Sequence, residues 1–499
     1  MEKQKLTGHL DRDLADMKEL MQGSADFVTK ELTVGKVQLQ LLMMEGMVNL
    51  GLLAQMIARP LLSADFPDGT RPEAIKTFIL EQTVMAADQK EVEEFRQIFQ
   101  LIMSGFVVIL IDGVAQGVAL GAQGFSFRSV GEPDSEVNER GSREGFTEPL
   151  KINMTLIRRR IKSHSLKFES FQVGTRSHTD GCLIYLTDVV SPALVQEIRP
   201  RLSRVKLSLV LDTGYLRPFL EGDTLSPFSE VGVTERPDTL CARIAEGRVA
   251  ILLDGTPYAL VTPCLFVENF QSFDDYAHRP YFAVFIRLLK YISFLLTILL
   301  PGCYVALATF HPESLPHLLL FNVAAAEETT PFPLMLEALL IHFIYEIMRE
   351  AGLRLPRPIG HAVGIVGALV IGDAAVTAGL IGSPMVMVGG LTAISSFVGP
   401  SLYEPMAILR FGFILIGGLT GIFGIALGCG IILLNACRIN NLGIPFTAPL
   451  SPFTLSAMRD VLFRAGWVTM QRRHQKIQQL RGVDRTLEKE EIHANDQTD

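Results

Sequence analysis

The sequence lacks the features that mark a secreted protein or a familiar enzyme. The first 20 residues contain no apolar core, so they form no signal peptide, and we expect the front half of the chain to stay in the cytosol. The front half also has no Walker loop and no GxGxxG, HExxH or GxSxG motif. We therefore expect no catalytic chemistry and predict that the protein is not an enzyme.

Cysteine pairs and net positive charge are also missing. Six cysteines are scattered through 499 residues without a CxxC pair, which predicts reduced, buried thiols rather than a disulfide framework or a metal site. The formal net charge of -8 provides no general attraction for nucleic acid. No cofactor, metal or nucleic-acid partner is expected.

The sequence does contain long apolar runs, and they begin near Tyr281. From about Ala283 to Arg438 these runs are separated by short breaks rich in Pro and Gly, and several approach the ~20 residues of a membrane-spanning helix. The chain is therefore expected to work at a bilayer. Five apolar segments can be marked: Phe285–Phe310, Phe332–Met348, Ile359–Leu380, Met385–Val398 and Ala407–Ala436.

Lys and Arg residues predict which segments cross the membrane. The connections His311–Pro331 and Gly382–Pro405 have neither residue type and are expected outside, whereas the tail from Arg459 onward is basic and is expected inside. Met385–Val398 is too short to span and is interpreted as re-entrant or as lying in the interface, buried against neighbouring helices. Four spans then place both termini in the cytosol. Arg410, near the outer end of the last span, is the one charge that this scheme does not favour.

Two stretches of the front half follow one plan about 142 positions apart. Each has a strand-like run that ends in an acid, at Glu45 or Asp188, and a later strand that ends in an Asp-Gly turn, at Asp112 or Asp254. This repeat predicts an α/β cytosolic domain of two related subdomains, followed by an all-α membrane domain. The expected boundaries are an N-terminal segment (1–23), a first subdomain (24–123), a charged connector (124–164), a second subdomain (165–280), a transmembrane domain (281–457) and a basic tail (458–499).

The connector carries a helix with three consecutive arginines, Arg158, Arg159 and Arg160. One interpretation is a docking surface for a partner or for anionic headgroups. The other is a solvated helix paired with nearby carboxylates.

Ionisable residues enter the second apolar segment. His342, Glu346 and Arg349 share one helix face, and Glu337 lies earlier in the same segment. Ionisable groups at membrane depth usually face a bundle interior or a water-filled path, so Glu337 and Glu346 are candidates for lining a pore. The alternative is a stripe that merely runs into the cytosolic interface.

The third segment has two distinct faces. Gly360, Gly364, Ala368 and Gly372 recur every fourth residue, which is typical of close helix packing. Val366, Val370, Asp373 and Thr377 lie on roughly the opposite side. In a symmetric ring this stripe of valines and an acid would line a pore; alternatively it faces lipid, with Asp373 at the outer interface.

Several of these stretches resemble the A subunits of bacterial spore germinant receptors of the GerA type, from about residue 10 to Phe453. The motifs that carry the resemblance are Glu144–Lys162, Thr234–Leu260, Leu300–Glu313, Glu337–Gly360 and Val366–Leu380.

The resemblance implies a multi-pass protein of the spore inner membrane that forms a channel, a pentamer, and releases ions when a nutrient arrives. It also implies two partners, a transporter-like B subunit and a lipoprotein C subunit. Three alternatives stay open: the related protein encoded with the dipicolinate-channel components, a non-conducting scaffold for the B and C subunits, and a secondary transporter, against which no inverted repeat is visible.

Overall fold

A computed structural model describes the protein over residues 5–55, 59–67, 69–82, 89–122, 131–133, 136, 138, 140–222, 225–355, 372–440, 442–470 and 476–484. Its front half contains two five-stranded antiparallel sheets, and its back half is helical.

The first sheet has the order β1-β2-β4-β5-β3 and is covered by helices on both faces. Its strands are β1 Phe27–Val34, β2 Val37–Met44, β3 Gln89–Val92, β4 Phe106–Ile111 and β5 Gly117–Gly121. Its helices are α1 Leu10–Leu20, α2 Leu50–Leu53, α3 Arg59–Ser63, α4 Pro72–Gln82 and α5 Phe95–Ile102. The central strands β2 and β4 are buried on both sides over most of their length because helices cover both faces.

The second sheet repeats this order as β6-β7-β9-β10-β8. Its strands are β6 Leu166–Val173, β7 Thr179–Leu186, β8 Gly232–Thr234, β9 Val249–Leu253 and β10 Ala259–Thr262. Its helices are α6 Leu150–Arg160, α7 Pro192–Ser203, α8 Arg217–Leu220 and α9 Pro237–Ala245. The shared strand order confirms the two related subdomains that the sequence repeat predicts.

The repeated Asp-Gly turns hold the helix that precedes each sheet. Asp112 Oδ1 accepts a hydrogen bond from the Leu10 amide at 3.3 Å, and Asp254 Oδ1 accepts one from the Leu150 amide at 2.9 Å. These amides lie in the first turns of α1 and α6, where the backbone N–H groups have no partner within their own helix. The acid of each turn is therefore a helix cap, and both helices belong to their sheets: Leu10 is buried in the first core and Leu150 in the second.

The helical half begins with α10 Asp274–Ala277 and the long helix α11 Pro280–Phe310. It continues with α12 His317–Glu327, α13 Leu334–Arg354, a helical stretch over 372–377, α14 Ser383–Ser396, α15 Tyr403–Arg438 and α16 Trp467–Met470. Short 3-10 helices occupy Thr213–Tyr215, Phe266–Phe270, Pro312–Ser314, Pro400–Leu402, Ala457–Asp460 and Ile477–Gln479. Among the described residues, α11 and α15 are long and apolar enough to cross a membrane.

The last apolar segment is a hairpin rather than a single straight span. At Gly421 the backbone of α15 leaves helical geometry, with φ 66° and ψ -156°. Beyond this point the chain returns along itself, since a β-carbon at position 428 would lie 3.0 Å from Cε1 of Phe413. In a straight helix these two residues would be ~22 Å apart along the axis. Both arms are anchored to the soluble half: the Ser401 hydroxyl donates to the Asn269 carbonyl, and the Ser226 hydroxyl donates to the Asn435 side chain.

This arrangement corrects two sequence predictions. We call the end of the helical domain beside the soluble half proximal and the end at Phe310 distal. The prediction that the whole of Gly382–Pro405 faces outside is wrong, because Gly382 lies beside Glu337 in the distal half while Ser401 lies at the proximal end. The prediction that Met385–Val398 is re-entrant is also wrong, because α14 does not return to the end at which it begins. Its N-cap Gly382 lies beside Glu337 in the distal half, and its last residue, Ser396, lies beside Tyr345, closer to the proximal end. The element that turns back is α15. Each of its two arms is nearly as long as a membrane span, so the length of the apolar run does not reveal the turn between them.

The residues that follow α15 return to the second subdomain. Ile444, Val461, Ile477 and Leu480 are buried in the same core as α7 and β9. The Gln478 side chain donates to the Val189 carbonyl at 2.9 Å. We call residues 442–470 and 476–484 the C-terminal strap. The tail that the sequence left as a separate basic segment is therefore partly a structural layer of the second subdomain.

Candidate functional site

The predicted pore stripe is described only at its distal end. Val366, Val370, Gly360, Gly364 and Ala368 lie outside the described residues. Where the description resumes, a β-carbon at Gly372 would lie 3.6 Å from Cγ1 of Val386 on α14, so this small residue faces a neighbouring helix. Asp373 and Thr377 are exposed on the surface of the single chain. At the described positions, one face of the segment therefore packs against α14 and the other face is exposed.

Glu337 is held inside the helical domain. Its side chain is 1% exposed, and its Oε2 accepts a hydrogen bond of 2.9 Å from the Gly382 amide. Gly382 is the N-cap of α14, where free amides and the helix dipole favour a negative charge. In the described part of the single chain Glu337 therefore caps a helix, and its pore-lining role stays a prediction.

Glu346 is the centre of a charged cluster near the proximal end. Its carboxylate forms an ion pair with Arg410 and accepts a hydrogen bond from the Tyr403 hydroxyl. Arg349 approaches the same carboxylate at 3.4 Å and stacks on the Tyr403 ring. The cluster ties α13 to the first arm of α15. Arg410, which did not suit the predicted topology, is fully buried beside this acid instead of lying near the outer membrane surface.

His342 is buried on the same helix. Its Nδ1 lies 2.8 Å from the Ala338 carbonyl oxygen one turn earlier. No partner of its Nε2 is found among the described residues. The ring is thus tied to its own helix.

The three arginines of α6 do not share one environment. Arg158 is 1% exposed and pairs with Asp26 of the first subdomain, with Nε to Oδ2 at 2.9 Å. It also stacks on Phe168. Arg159 and Arg160 both approach Glu144, at 3.5 Å and 2.6 Å. Arg158 therefore joins the two subdomains and is not available to an external partner, whereas the docking role of Arg159 and Arg160 stays a prediction.

The junction between the soluble half and the first long helix is the polar site that the sequence did not single out. Arg287 of α11 is fully buried and forms ion pairs with Asp275 at 2.8 Å and with Asp460 at 3.0 Å. The Tyr276 hydroxyl donates to Asp460 at 2.7 Å. Burial raises the pKa of the Asp460 carboxyl, and the nearby Arg287 opposes that rise. The ion pairs thus connect α10, α11 and the strap.

The strap makes a second set of bonds at this junction. Arg464 donates to the carbonyls of His278 at 2.6 Å and of Tyr276 at 3.0 Å. The Trp467 indole donates to the Tyr276 carbonyl at 3.2 Å. A cavity of about 1650 Å³ opens between the strap, the second subdomain and the start of α11. Over the described ranges, no group of His, Cys, Asp and Glu is arranged to hold a metal ion.

A duplicated α/β module, a helical domain and a returning strap now define the architecture, and comparison with known proteins identifies it. The model of the Bacillus/Clostridium GerA spore germination protein family matches residues 15–476. The chain belongs to this family. It is 36% identical to "Spore germination protein KA" of Bacillus subtilis (strain 168) over 473 residues, which cover 94% of this chain and 86% of the relative.

Other GerA-like proteins show the range of similarity. The chain is 42% identical to "Uncharacterized membrane protein YfkQ" of B. subtilis (strain 168), over 74% of this chain and 73% of that protein. It is 27% identical to "Stage V sporulation protein AF" of the same organism, over 88% and 89% of the two chains. A crystal structure of the N-terminal domain of the A subunit of the Bacillus megaterium spore germinant receptor GerK3 is similar at 26% identity and a TM-score of 0.42, covering 53% of this chain and 98% of that domain.

Proposed function

We propose that this chain is the A subunit of a nutrient germinant receptor in the spore inner membrane, and that several copies form a ligand-gated ion channel. Membership of the GerA family supports the role in germination. The family resemblance suggests five copies, with a transporter-like B subunit and a lipoprotein C subunit as partners. In this proposal ions leave the spore when nutrient binding opens the channel.

The observation that carries the channel proposal is the two-sided helical stretch over 372–377. Gly372 packs inward against α14, whereas the acid Asp373 and the hydroxyl of Thr377 are exposed on the other side. An acid on the outer surface of an apolar helical domain is unfavourable in lipid and favourable beside water. A ring of copies would surround a central path with these groups and with the valines that precede them.

Each part of the stripe then has a role in conduction. Val366 and Val370 form an apolar constriction that blocks ions by dewetting when the channel is closed. Asp373 contributes a ring of negative charge that favours cations. In the alternative the stripe faces lipid, and neither the valines nor Asp373 influence conduction.

Two other functions are weighed against this one. The related protein encoded with the dipicolinate-channel components is one alternative, but the 36% identity to spore germination protein KA over 94% of this chain supports the receptor type. A non-conducting scaffold for the B and C subunits is the other alternative, and it would dock them through the charged stretch of residues 124–162. That function predicts no effect of substitutions in the stripe.

The test is conduction through variants of the stripe at matched protein levels. We expect Val370→Ala to widen the constriction, so that spores leak ions and germinate without nutrient. Val376→Ala is the matched control, because it removes the same atoms from the same segment away from the centre of the stripe. Equal dormancy of both variants would contradict the pore assignment.

A second variant isolates the charge. Asp373→Asn keeps the size of the side chain but removes the negative ring, so we expect assembly to persist while cation efflux after nutrient addition becomes slower. Efflux can be followed with a potassium electrode in spore suspensions. If efflux is unchanged in Asp373→Asn and dormancy is unchanged in Val370→Ala, a non-conducting scaffold would explain the data better than a channel.

A further inference from the structure

A group of large apolar side chains on the C-terminal strap is exposed beside the first turn of α11. Phe463, Trp467 and Val468 are 68%, 60% and 70% exposed. They lie close to this helix, since a β-carbon at Gly466 would lie 3.9 Å from Cγ of Pro280, the first residue of α11. We call Phe463, Trp467 and Val468 the strap patch.

The strap patch continues an apolar surface that already belongs to the helix. Tyr281, Phe282 and Phe285 of α11 are 70%, 42% and 59% exposed, and the exposed apolar face continues through Leu288 and Leu289. The charged residues of the same helix turn are directed away from this face, since Arg287 is fully buried against Asp275. The strap patch and α11 thus present neighbouring apolar side chains.

The length of α11 places its first turns near the surface of the bilayer. The helix has 31 residues, which gives ~46 Å at 1.5 Å per residue, and the hydrocarbon core of a bilayer is ~30 Å thick. The distal end of α11 packs against the tip of the α15 hairpin, where Phe310 meets Gly421. The excess length therefore extends toward the soluble half, into the zone where Trp and Tyr are enriched in membrane proteins.

The chemistry of the patch also suits that zone. The Trp467 indole N–H is already bonded to the Tyr276 carbonyl, so the ring can enter an apolar layer without leaving a donor unpaired. Arg459 is exposed on the same strap, and the sequence carries Arg472 and Arg473 soon after Trp467. Basic residues that are close in sequence to an aromatic patch favour a surface of anionic lipid.

We propose that the strap patch lies in the headgroup and acyl boundary of the leaflet that faces the soluble half, and that it anchors the second subdomain to anionic lipid. The anchor reaches α11 through Arg464 and through the Asp460–Arg287 ion pair. A shift of the second subdomain against the membrane would then move the start of α11 directly. This role goes beyond conduction and does not depend on it.

Trp467 is the only tryptophan of the chain, so its fluorescence reports on the patch in the unaltered protein. The full chain would be reconstituted in vesicles of phosphatidylcholine and phosphatidylglycerol whose acyl chains carry bromine near the headgroup. We expect loss of most of the Trp467 emission in these vesicles, and little loss to acrylamide added in the water. Lipids brominated near the chain ends should quench it less.

Two relocated probes calibrate the result. In Trp467→Phe/Leu62→Trp the probe lies on the exposed surface of the first subdomain, where only acrylamide should quench it. In Trp467→Phe/Phe285→Trp it lies on the exposed face of α11, where brominated lipid should quench it. Emission from Trp467 that matches the Leu62 probe would overturn the proposal. Protection from both quenchers would also overturn it, since a second copy or another protein would then cover the patch.

Discussion

At the residue scale, the three arginines of α6 show what a sequence pattern can and cannot resolve. The sequence indicates a basic helix face, yet consecutive residues of a helix differ by 100° and cannot all point the same way. Arg158 turns inward to Asp26, and Arg159 and Arg160 share Glu144. The carboxylate that binds Arg158 lies 132 positions away in the chain, so local spacing could not identify it. The junction around Arg287 was missed for the same reason, since Asp460 is 173 positions distant.

The buried pair gives a prediction about stability. Arg158→Ala would leave Asp26 buried without its cation, so we expect the free energy of unfolding to fall by about 3–5 kcal/mol. Arg159→Ala, on a half-exposed pair with Glu144, should change it by less than about 1 kcal/mol. Hydrogen exchange of β1 and β6 amides in the full chain measures both. Equal effects of the two substitutions would mean that the buried pair is not the link between the subdomains.

At the scale of elements, the repeat was predictable and the helical order was not. Strand periodicity and the Asp-Gly turns locate both sheets because hairpin contacts are close in sequence. The length and hydropathy of the apolar run Ala407–Ala436 predict one helix that crosses the membrane once. The structure breaks it at Gly421, where positive φ is accessible to glycine at little cost. The predicted even number of crossings stays a prediction.

The hairpin can be tested by cross-linking within one chain. In a background without native cysteines, Phe413→Cys/Gly428→Cys should be joined by a short bifunctional reagent, because the two arms meet at these positions. Ile408→Cys/Phe423→Cys has the same separation of 15 residues and is exposed at both sites, and it should not react. Mass spectrometry of the digested protein detects the link. A straight helix would keep both pairs ~22 Å apart and leave both unlinked.

At the scale of the whole molecule, the strap brings residues that follow the helical domain back into the core of the second subdomain. The second sheet is covered on one face by α6 and α9 and on the other by α7 together with strap residues such as Ile477 and Leu480. In the first subdomain the equivalent outer face is covered by α4 instead, through Ile75 and Ile79. The second subdomain thus completes its core only after the membrane helices have been made. Sequence could not show this, because the strap has no strong helical or strand periodicity of its own.

The strap leads to a prediction about membrane topology. Cysteines placed at Lys5 and Arg481 must lie on the same side of the membrane, because the strap packs in the core of the soluble half. The bias of Lys and Arg places that side in the cytosol, so an impermeant thiol reagent should label neither site in intact protoplasts and both after permeabilisation. Leu318 of α12, which is 78% exposed near the distal end, should react when replaced by Cys in intact cells. In intact protoplasts, labelling of the cysteine at position 481 without labelling at position 5 would contradict the packing of the strap. Labelling at both of these sites but not at position 318 would mean that the protein has the opposite orientation in the membrane with the same fold.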